Sequence, residues 1–295
     1  MSSPSLRGRV ARHPVASFFL LAYGFSWVGW LPGILGAAEP IRTLSYVAGG
    51  FGPAVAGAVV TWLDGSSLRA WAGQIVRWRV APRWYLAALF LPVLVVVLAS
   101  AGMLLFGMGV DPSVLAGRAS LVAVSFVTVA LIGGGNEEPG WRGFALPRLQ
   151  EQYAPVSATL ILGVVWAFWH LPQLAADPNA VYSFAWLVEE LPGLVLRVVN
   201  IVGFAFLLTW IYNGTESVLL AIVLHAGINT ANSTLVPIPI DAITGESFLT
   251  VLVAVDIGVW LVAIALIVAT GGRLGYDAGA DRSKPSTPGR GSEVG

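Results

Sequence analysis

Apolar residues run through this chain in long stretches that are separated by short polar segments. Because a helix rises ~1.5 Å per residue, about 20 apolar residues cross the ~30 Å hydrocarbon layer of a membrane. Eight stretches of roughly this kind lie at about residues 15–35, 44–63, 84–107, 119–136, 157–172, 195–212, 217–235 and 248–270. The pattern predicts an all-α, polytopic bundle of about eight transmembrane helices. Small residues recur in the second stretch and predict close helix packing there.

The positive charges alternate with these stretches. Most lie before the first stretch or after the second, fourth and eighth, namely Arg7, Arg9, Arg12, Arg69, Arg77, Arg79, Arg83, Arg142, Arg148, Arg273, Arg282, Lys284 and Arg290. The other loops hold Arg42, Arg118 and Arg197. Cytoplasmic loops carry the excess of Lys and Arg, so both termini are predicted to be cytoplasmic, in the plasma (inner) membrane. Residues 1–276 are predicted to form one transmembrane domain, and the Ser-, Pro- and Gly-rich residues 277–295 a disordered cytoplasmic tail.

Composition supports this class of protein and excludes others. Apolar residues make up 56% of the chain and charged residues 11%, against roughly 25% in soluble proteins. Mean hydropathy is +0.78. With a net charge of zero, nothing predicts nucleic acid as a partner, whereas membrane lipids are expected ones. Cysteine is absent, which excludes disulfides, thiolate metal sites and cysteine nucleophiles.

Few ionisable or strongly polar side chains lie within the apolar stretches. An ionisable group in hydrocarbon costs at least ~2.5 kcal/mol, so the remaining ones are candidates for function. They are Glu137, Glu138, His170, His225, Asn229 and Asp256. Simpler roles exist for each kind: an acidic membrane boundary, a histidine that satisfies a buried carbonyl, an asparagine that joins helices. A single shared site explains Glu137, His170, His225 and Asn229 better than separate roles do. Asp256 is interpreted as a packing contact.

The spacing of these residues along the helices predicts a different role for each glutamate. Neighbouring helical residues point about 100° apart, so Glu137 and Glu138 need different roles. Glu138 and Arg142 are four residues apart and predict an ion pair, which leaves Glu137 free. His225 and Asn229 share one helix face.

The depth of the glutamates depends on where the fourth helix ends. Glu137 is too shallow to meet the histidines unless the fourth helix continues past Trp141. Residues 142–153 alternate apolar and polar side chains, which predicts an interfacial amphipathic helix. Pro139 lacks an N–H and is expected to kink the chain and open a polar pocket.

Three motifs in this region resemble those of the CPBP family of intramembrane proteases. The family includes type II CAAX prenyl endopeptidases and bacteriocin-processing or immunity (Abi-like) proteins. Its Glu-Glu-x-x-x-Arg motif is matched by Glu137, Glu138 and Arg142; its aromatic-x-x-x-His motif by Trp166 and His170; and its His-x-x-x-Asn motif by His225 and Asn229. The similarity covers about residues 119–233. Trp166 replaces the usual Phe, and Pro139-Gly140 lies inside the first motif.

The resemblance implies hydrolysis of peptide bonds in membrane-associated or lipidated peptides. Glu137 would be the general base, His170 would orient the water, and His225 and Asn229 would stabilise the oxyanion. Glu138, Arg142 and Trp166 would support them. Glu137, His170 and His225 could instead hold Zn²⁺, with water as the fourth ligand. A metal-free mechanism is favoured because Glu137 as a ligand would leave no obvious free base.

Non-catalytic roles are the alternatives. A transporter could use the same polar residues as an ion path, but it would be expected to show inverted repeats, and none is visible. An immunity or scaffold protein could retain the fold without the activity, although it would be free to lose the motif residues.

Overall fold

The computed structural model of the protein describes residues 5–174, 184–239 and 245–277. Regular structure in these ranges is helical, which confirms the all-α prediction. The α-helices are α1 (Leu6–Arg12), α2 (Pro14–Ile34), α3 (Ile41–Gly50), α4 (Gly52–Leu63), α5 (Leu68–Gly73), α6 (Pro82–Leu105), α7 (Ala119–Ile132), α8 (Glu138–Gly140), α9 (Leu146–Gln150), α10 (Pro155–Trp169), α11 (Leu171–Leu174), α12 (Phe184–Thr215), α13 (Val218–Thr230) and α14 (Gly245–Ala269). Shorter 3₁₀ turns span Pro112–Arg118 and Gly135–Glu137, and π turns span Trp141–Ala145 and Ala231–Leu235.

Seven helical stretches in the described residues are long and apolar enough to cross a membrane. The pair α3 and α4, bent by 42° at Phe51, provides an eighth if the two helices form one span. These eight correspond to the eight apolar stretches of the sequence. The protein is therefore an integral membrane protein with several spans, while the orientation of its termini and its domain limits stay predictions. The predicted tail from residue 278 onward lies outside the described residues.

Loops that were predicted to share a side of the membrane do meet. At one end, Arg148 donates to Asp64 at 3.2 Å, and Ser217 Oγ donates to the carbonyl oxygen of Arg77 at 2.6 Å. At the other end, the Arg118 guanidinium donates to the carbonyl oxygens of residues 234, 236 and 238 at 2.8–3.0 Å. Each end is thus joined by hydrogen bonds between loops that are distant in sequence.

Close packing between α4 and the residues after α7 positions the polar centre of the bundle. A Cβ atom on Gly140 would collide with the carbonyl oxygen of Pro53, and one on Gly57 would lie 3.4 Å from Cα of Gly140. Glycine at both positions lets the two backbones approach. The close packing predicted from the small residues of the second span is confirmed.

One expectation for this region was wrong. Residues 142–150 do not form an interfacial amphipathic helix, because Arg142, Phe144, Leu146 and Leu149 are buried in the bundle. Exposure begins at residues 151–153. The periodic pattern correctly marked a helical stretch, but Arg142 and Gln150 on its polar side are buried inside the protein, while Arg148 is 20% exposed.

Gly140→Ala is expected to destabilise the protein by about 1–3 kcal/mol, because the added methyl group must push α4 away. The measurement is thermal unfolding in detergent. Gly73→Ala is the matched control, since a Cβ there would meet no atom within 4 Å. Equal stability of the two variants would contradict the packing described.

Candidate active site

The paired glutamates lie in a segment of four short helical turns. We call residues 135–150 the glutamate segment. Helix α7 ends before Gly134, whose φ of 141° is a conformation that favours glycine. The chain then continues through the 3₁₀ turn, α8, the Trp141–Ala145 π turn and α9. Because the chain keeps its helical course beyond Trp141, Glu137 reaches the histidines, and the mismatch in depth is resolved.

Side chains of Trp71 in α5 and of Gln74 directly after it support this segment. Pro147 has no N–H, so the carbonyl of Gly143 lacks its usual helical donor, and Gln74 Nε2 donates to it at 3.3 Å. Trp71 Nε1 donates to the carbonyl oxygen of Pro139 at 3.0 Å. Gln74 also accepts from the Tyr212 hydroxyl at 2.6 Å. The sequence analysis missed both supporting residues, since neither lies in a motif or an apolar stretch.

Glu138 forms the predicted ion pair and a second contact. Its Oε1 lies 3.1 Å from the Arg142 guanidinium and 2.7 Å from His225 Nδ1. The Glu138 and Arg142 side chains are 0% exposed, and that of His225 is 3% exposed. A carboxylate in this position attracts both partners strongly, because little water competes with them. The contact joins the glutamate segment to α13.

Glu137 lies on another side of the helix, as predicted from its neighbouring position. Its Oε2 accepts from Trp166 Nε1 at 2.7 Å and from Trp141 Nε1 at 3.3 Å. Its Oε1 lies 4.0 Å from His170 Nε2. The two indoles fix the carboxylate through one oxygen and leave the other directed toward His170.

His170 has a defined tautomer when it is neutral. Its Nδ1 lies 2.9 Å from the carbonyl oxygen of Trp166. A carbonyl can only accept, so Nδ1 carries the proton and Nε2 presents a lone pair toward Glu137. The side chains of His170 and Glu137 are 18% and 9% exposed, so the pair is shielded without being fully closed.

Trp166 contacts both halves of the site. Its ring lies 4.5 Å from the Arg142 guanidinium carbon, and its centroid lies 5.7 Å from the His170 ring and 5.5 Å from the His225 ring. The structure therefore brings six predicted residues together, namely Glu137, Glu138, Arg142, Trp166, His170 and His225. Trp at this position adds an N–H donor that the family's usual Phe does not have.

The other predicted polar residues differ in their contacts. Asn229 lies one turn beyond His225 and is partly buried, and no described residue forms a hydrogen bond with its side chain. Asp256 lies apart from the site in α14, where its Oδ1 accepts from Asn200 Nδ2 at 2.7 Å. That bond joins α14 to α12, in agreement with a packing role.

A zinc ion was the alternative use of Glu137, His170 and His225. Among the described residues, no three His, Asp or Glu side chains are grouped so that they could hold one. His225 Nδ1 faces Glu138, and Glu137 Oε2 is occupied by two indole donors. This leaves Glu137 Oε1 and His225 Nε2 as the atoms that could bind zinc together with His170 Nε2, and zinc coordination stays a prediction.

The fold and the site define a multi-span helical membrane protein with a buried glutamate–histidine centre. Residues 119–231 match the family described as "Type II CAAX prenyl endopeptidase Rce1-like". The chain is also 28% identical over 107 residues to "CAAX prenyl protease 2" from Methanococcus maripaludis, covering 36% of this chain and 39% of that relative. The chain thus matches about two fifths of the length of this curated relative. The family resemblance predicted from the motifs is confirmed over the segment that carries the site.

Arg142→Met is expected to cost about 3–5 kcal/mol of stability, because it leaves Glu138 buried with one cation fewer. Thermal unfolding in detergent measures the effect. The matched control is Arg77→Met, whose ion pair with Glu216 joins side chains that are 42% and 46% exposed. There a loss of at most about 1 kcal/mol is expected. Similar losses in the two variants would be evidence against a strong buried pair.

Gln74→Met is expected to cost about 1–3 kcal/mol, because the Gly143 carbonyl and the Tyr212 hydroxyl lose a partner. Stability is again measured by thermal unfolding. Gln152→Met serves as the control, since Gln152 is exposed. If Gln74→Met is as stable as the control, Gln74 does not support the glutamate segment.

Proposed function

We propose that the protein is a hydrolase of the CPBP type, an intramembrane endopeptidase that cleaves peptide bonds by activating water with Glu137. The observation that carries this proposal is the paired geometry of Glu137 and His170. One oxygen of the carboxylate is fixed by two indole N–H groups, and the other faces a histidine nitrogen at 4.0 Å. The family match over residues 119–231 supports it independently.

The 4.0 Å separation suits a water molecule held between the two side chains. Glu137 Oε1 and His170 Nε2 are too far apart for a direct hydrogen bond, but both can accept one. A water that donates one hydrogen to each directs a lone pair away from them, toward a substrate carbonyl. This is the position that a nucleophilic water requires.

His225 and Asn229 serve as donors to the oxyanion in this proposal. Glu138 accepts from His225 Nδ1 and so orients the ring, and Nε2 is the His225 atom proposed to donate to the oxyanion. Asn229 follows one helical turn later on the same face and has an amide N–H₂ to offer. Donors to a developing oxyanion strengthen in a shielded site, because little water competes.

The proposed reaction proceeds in two steps. The water oxygen bonds to the carbonyl carbon, the C=O π pair moves onto oxygen, and the water proton passes to Glu137. The C=O bond then re-forms as the C–N bond breaks, and the proton on Glu137 passes to the departing nitrogen. Glu137 ends as a carboxylate, and no metal or covalent intermediate takes part.

The proposed substrate is a membrane-associated or lipidated peptide, and the proposed location is the plasma (inner) membrane. The matched relative is named for prenyl protease activity, which makes peptides near a lipid-modified C-terminus the first substrates to try. An apolar bundle with a shielded polar centre suits substrates that reach it from the membrane. Nucleic acid is not expected as a partner of a chain with zero net charge.

Glu137→Gln is expected to lower kcat by about 10²–10⁴, because the amide cannot take the proton of water. The assay is cleavage of a fluorogenic panel of lipidated and unlipidated membrane peptides by purified protein. Each reaction is run with and without a zinc chelator, and the wild type is expected to keep its activity with it.

Asp256→Asn is the matched control, since it neutralises another buried carboxyl group whose partner lies outside the site. It is expected to keep activity within a few-fold of wild type. Wild-type cleavage no faster than that of Glu137→Gln on every peptide would refute the protease and favour an immunity or scaffold role. Loss of activity with the chelator would refute the metal-free mechanism.

A further inference from the structure

Asn136 directly precedes the proposed general base but belongs to none of the three motifs. It lies at the second position of the 3₁₀ turn Gly135–Glu137 that begins the glutamate segment. Counted as whole residues, Asn136 and Glu137 are each 7% exposed.

One half of the Asn136 amide has a fixed partner. Its Oδ1 accepts from the backbone N–H of Gly134 at 3.0 Å. Because a backbone N–H can only donate, this bond determines which way the amide faces. The oxygen must point to Gly134, and the N–H₂ group must point to the other side.

The other half of the amide has no partner. Within the described ranges, Asn136 Nδ2 is buried and donates to no acceptor. Buried amide groups are nearly always hydrogen-bonded, so an exception needs an explanation. Other buried atoms without a partner lie elsewhere in the described bundle, such as Thr61 Oγ1 and Gln150 Nε2, and Asn136 differs from them because it directly precedes Glu137.

The position of Gly134 links this amide to the proposed oxyanion donors. A Cβ atom on Gly134 would collide with Nε2 of His225, so the Gly134 backbone packs directly on that nitrogen. Gly134 thus contacts Asn136 Oδ1 through its N–H and His225 Nε2 through its backbone. Asn136 and His225 are therefore linked through one glycine, and Asn136 also adjoins Glu137 in the chain.

We propose that Asn136 is a further catalytic residue, whose Nδ2–H donates to the carbonyl oxygen of the scissile peptide bond as that oxygen becomes an oxyanion. This inference rests on the proposed endopeptidase function. In the first step, the π pair that moves onto the carbonyl oxygen is stabilised by Asn136 together with His225 and Asn229. The bond forms only when substrate is bound, which accounts for a donor that has no partner in the protein itself.

A packing role is the competing explanation. A Cβ on Gly50, at the break between α3 and α4, would lie 3.2 Å from Asn136 Nδ2, so the amide also contacts that break. If Asn136 only packs, its substitution would lower the stability of the protein and leave kcat of the folded protein unchanged.

Two variants isolate the donor. N136D keeps an oxygen for the N–H of Gly134 but has no N–H₂ group and adds a charge beside Glu137. N136A removes both halves of the amide and adds no charge. The only loss the two share is the donor. N213D is the matched control, because Asn213 Nδ2 donates to the carbonyl oxygen of Leu274 at 3.1 Å, outside the site.

The experiment measures kcat, KM, the pH–rate profile and Tm of the full chain on a peptide that the wild type cleaves. Both N136D and N136A are expected to lower kcat by about 10²–10³, the usual effect of removing one oxyanion donor, with KM within about threefold. Both variants are also expected to lower Tm, N136A because the Gly134 N–H loses its acceptor and N136D because a carboxylate is buried without a cation. N213D is expected to lower Tm and keep kcat within about threefold.

The outcomes separate this inference from the proposed function. Cleavage by the wild type with kcat unchanged in N136D and N136A would overturn the inference and leave the endopeptidase intact. A loss in N136D that disappears at another pH, with N136A fully active, would assign the effect to the added charge and overturn the inference too. Cleavage by the wild type no faster than by Glu137→Gln on every peptide would overturn both.

Discussion

Glu138 accepts from Arg142 and His225 through the same carboxylate oxygen, and all three side chains are shielded from solvent. Two charged groups with so little exposure are tolerated inside an apolar bundle only because they compensate each other. The contact also has a geometric consequence. It ties the glutamate segment to α13, and so holds the first and third motifs in register. The remaining polar residues of the site are arranged around this connection.

Trp166 extends the connection to the second motif. Its indole N–H fixes Glu137 through Oε2, its face covers the Arg142 guanidinium, and its backbone carbonyl sets the tautomer of His170. One side chain on α10 thus touches the buried ion pair and the proposed base together. The two glutamates are adjacent in sequence but differ in role, because Glu138 pairs with the Arg142 guanidinium and Glu137 accepts from two neutral indole N–H groups.

Local spacing predicted the contacts within one helix, and it could not predict those between helices. The Glu138–Arg142 pair follows from a separation of four residues, and the eight spans follow from apolar length. The bond from Glu138 to His225 joins residues 87 positions apart, so only the fold determines it. Gln74 was missed because its role depends on a carbonyl that Pro147 leaves without its usual donor. The polar face of residues 142–150 was assigned to the interface because periodicity does not reveal what covers a face.

The central claim is that Glu137 activates water for direct attack on the peptide bond. The most direct test is a single turnover of excess enzyme with a cleavable peptide in H₂¹⁸O, followed by mass spectrometry of both the product and the protein. Direct attack predicts one ¹⁸O in the new carboxyl group of the product and none in Glu137. A product without the label, together with ¹⁸O in the Glu137 carboxylate, would mean that Glu137 attacks the substrate itself and would contradict the account.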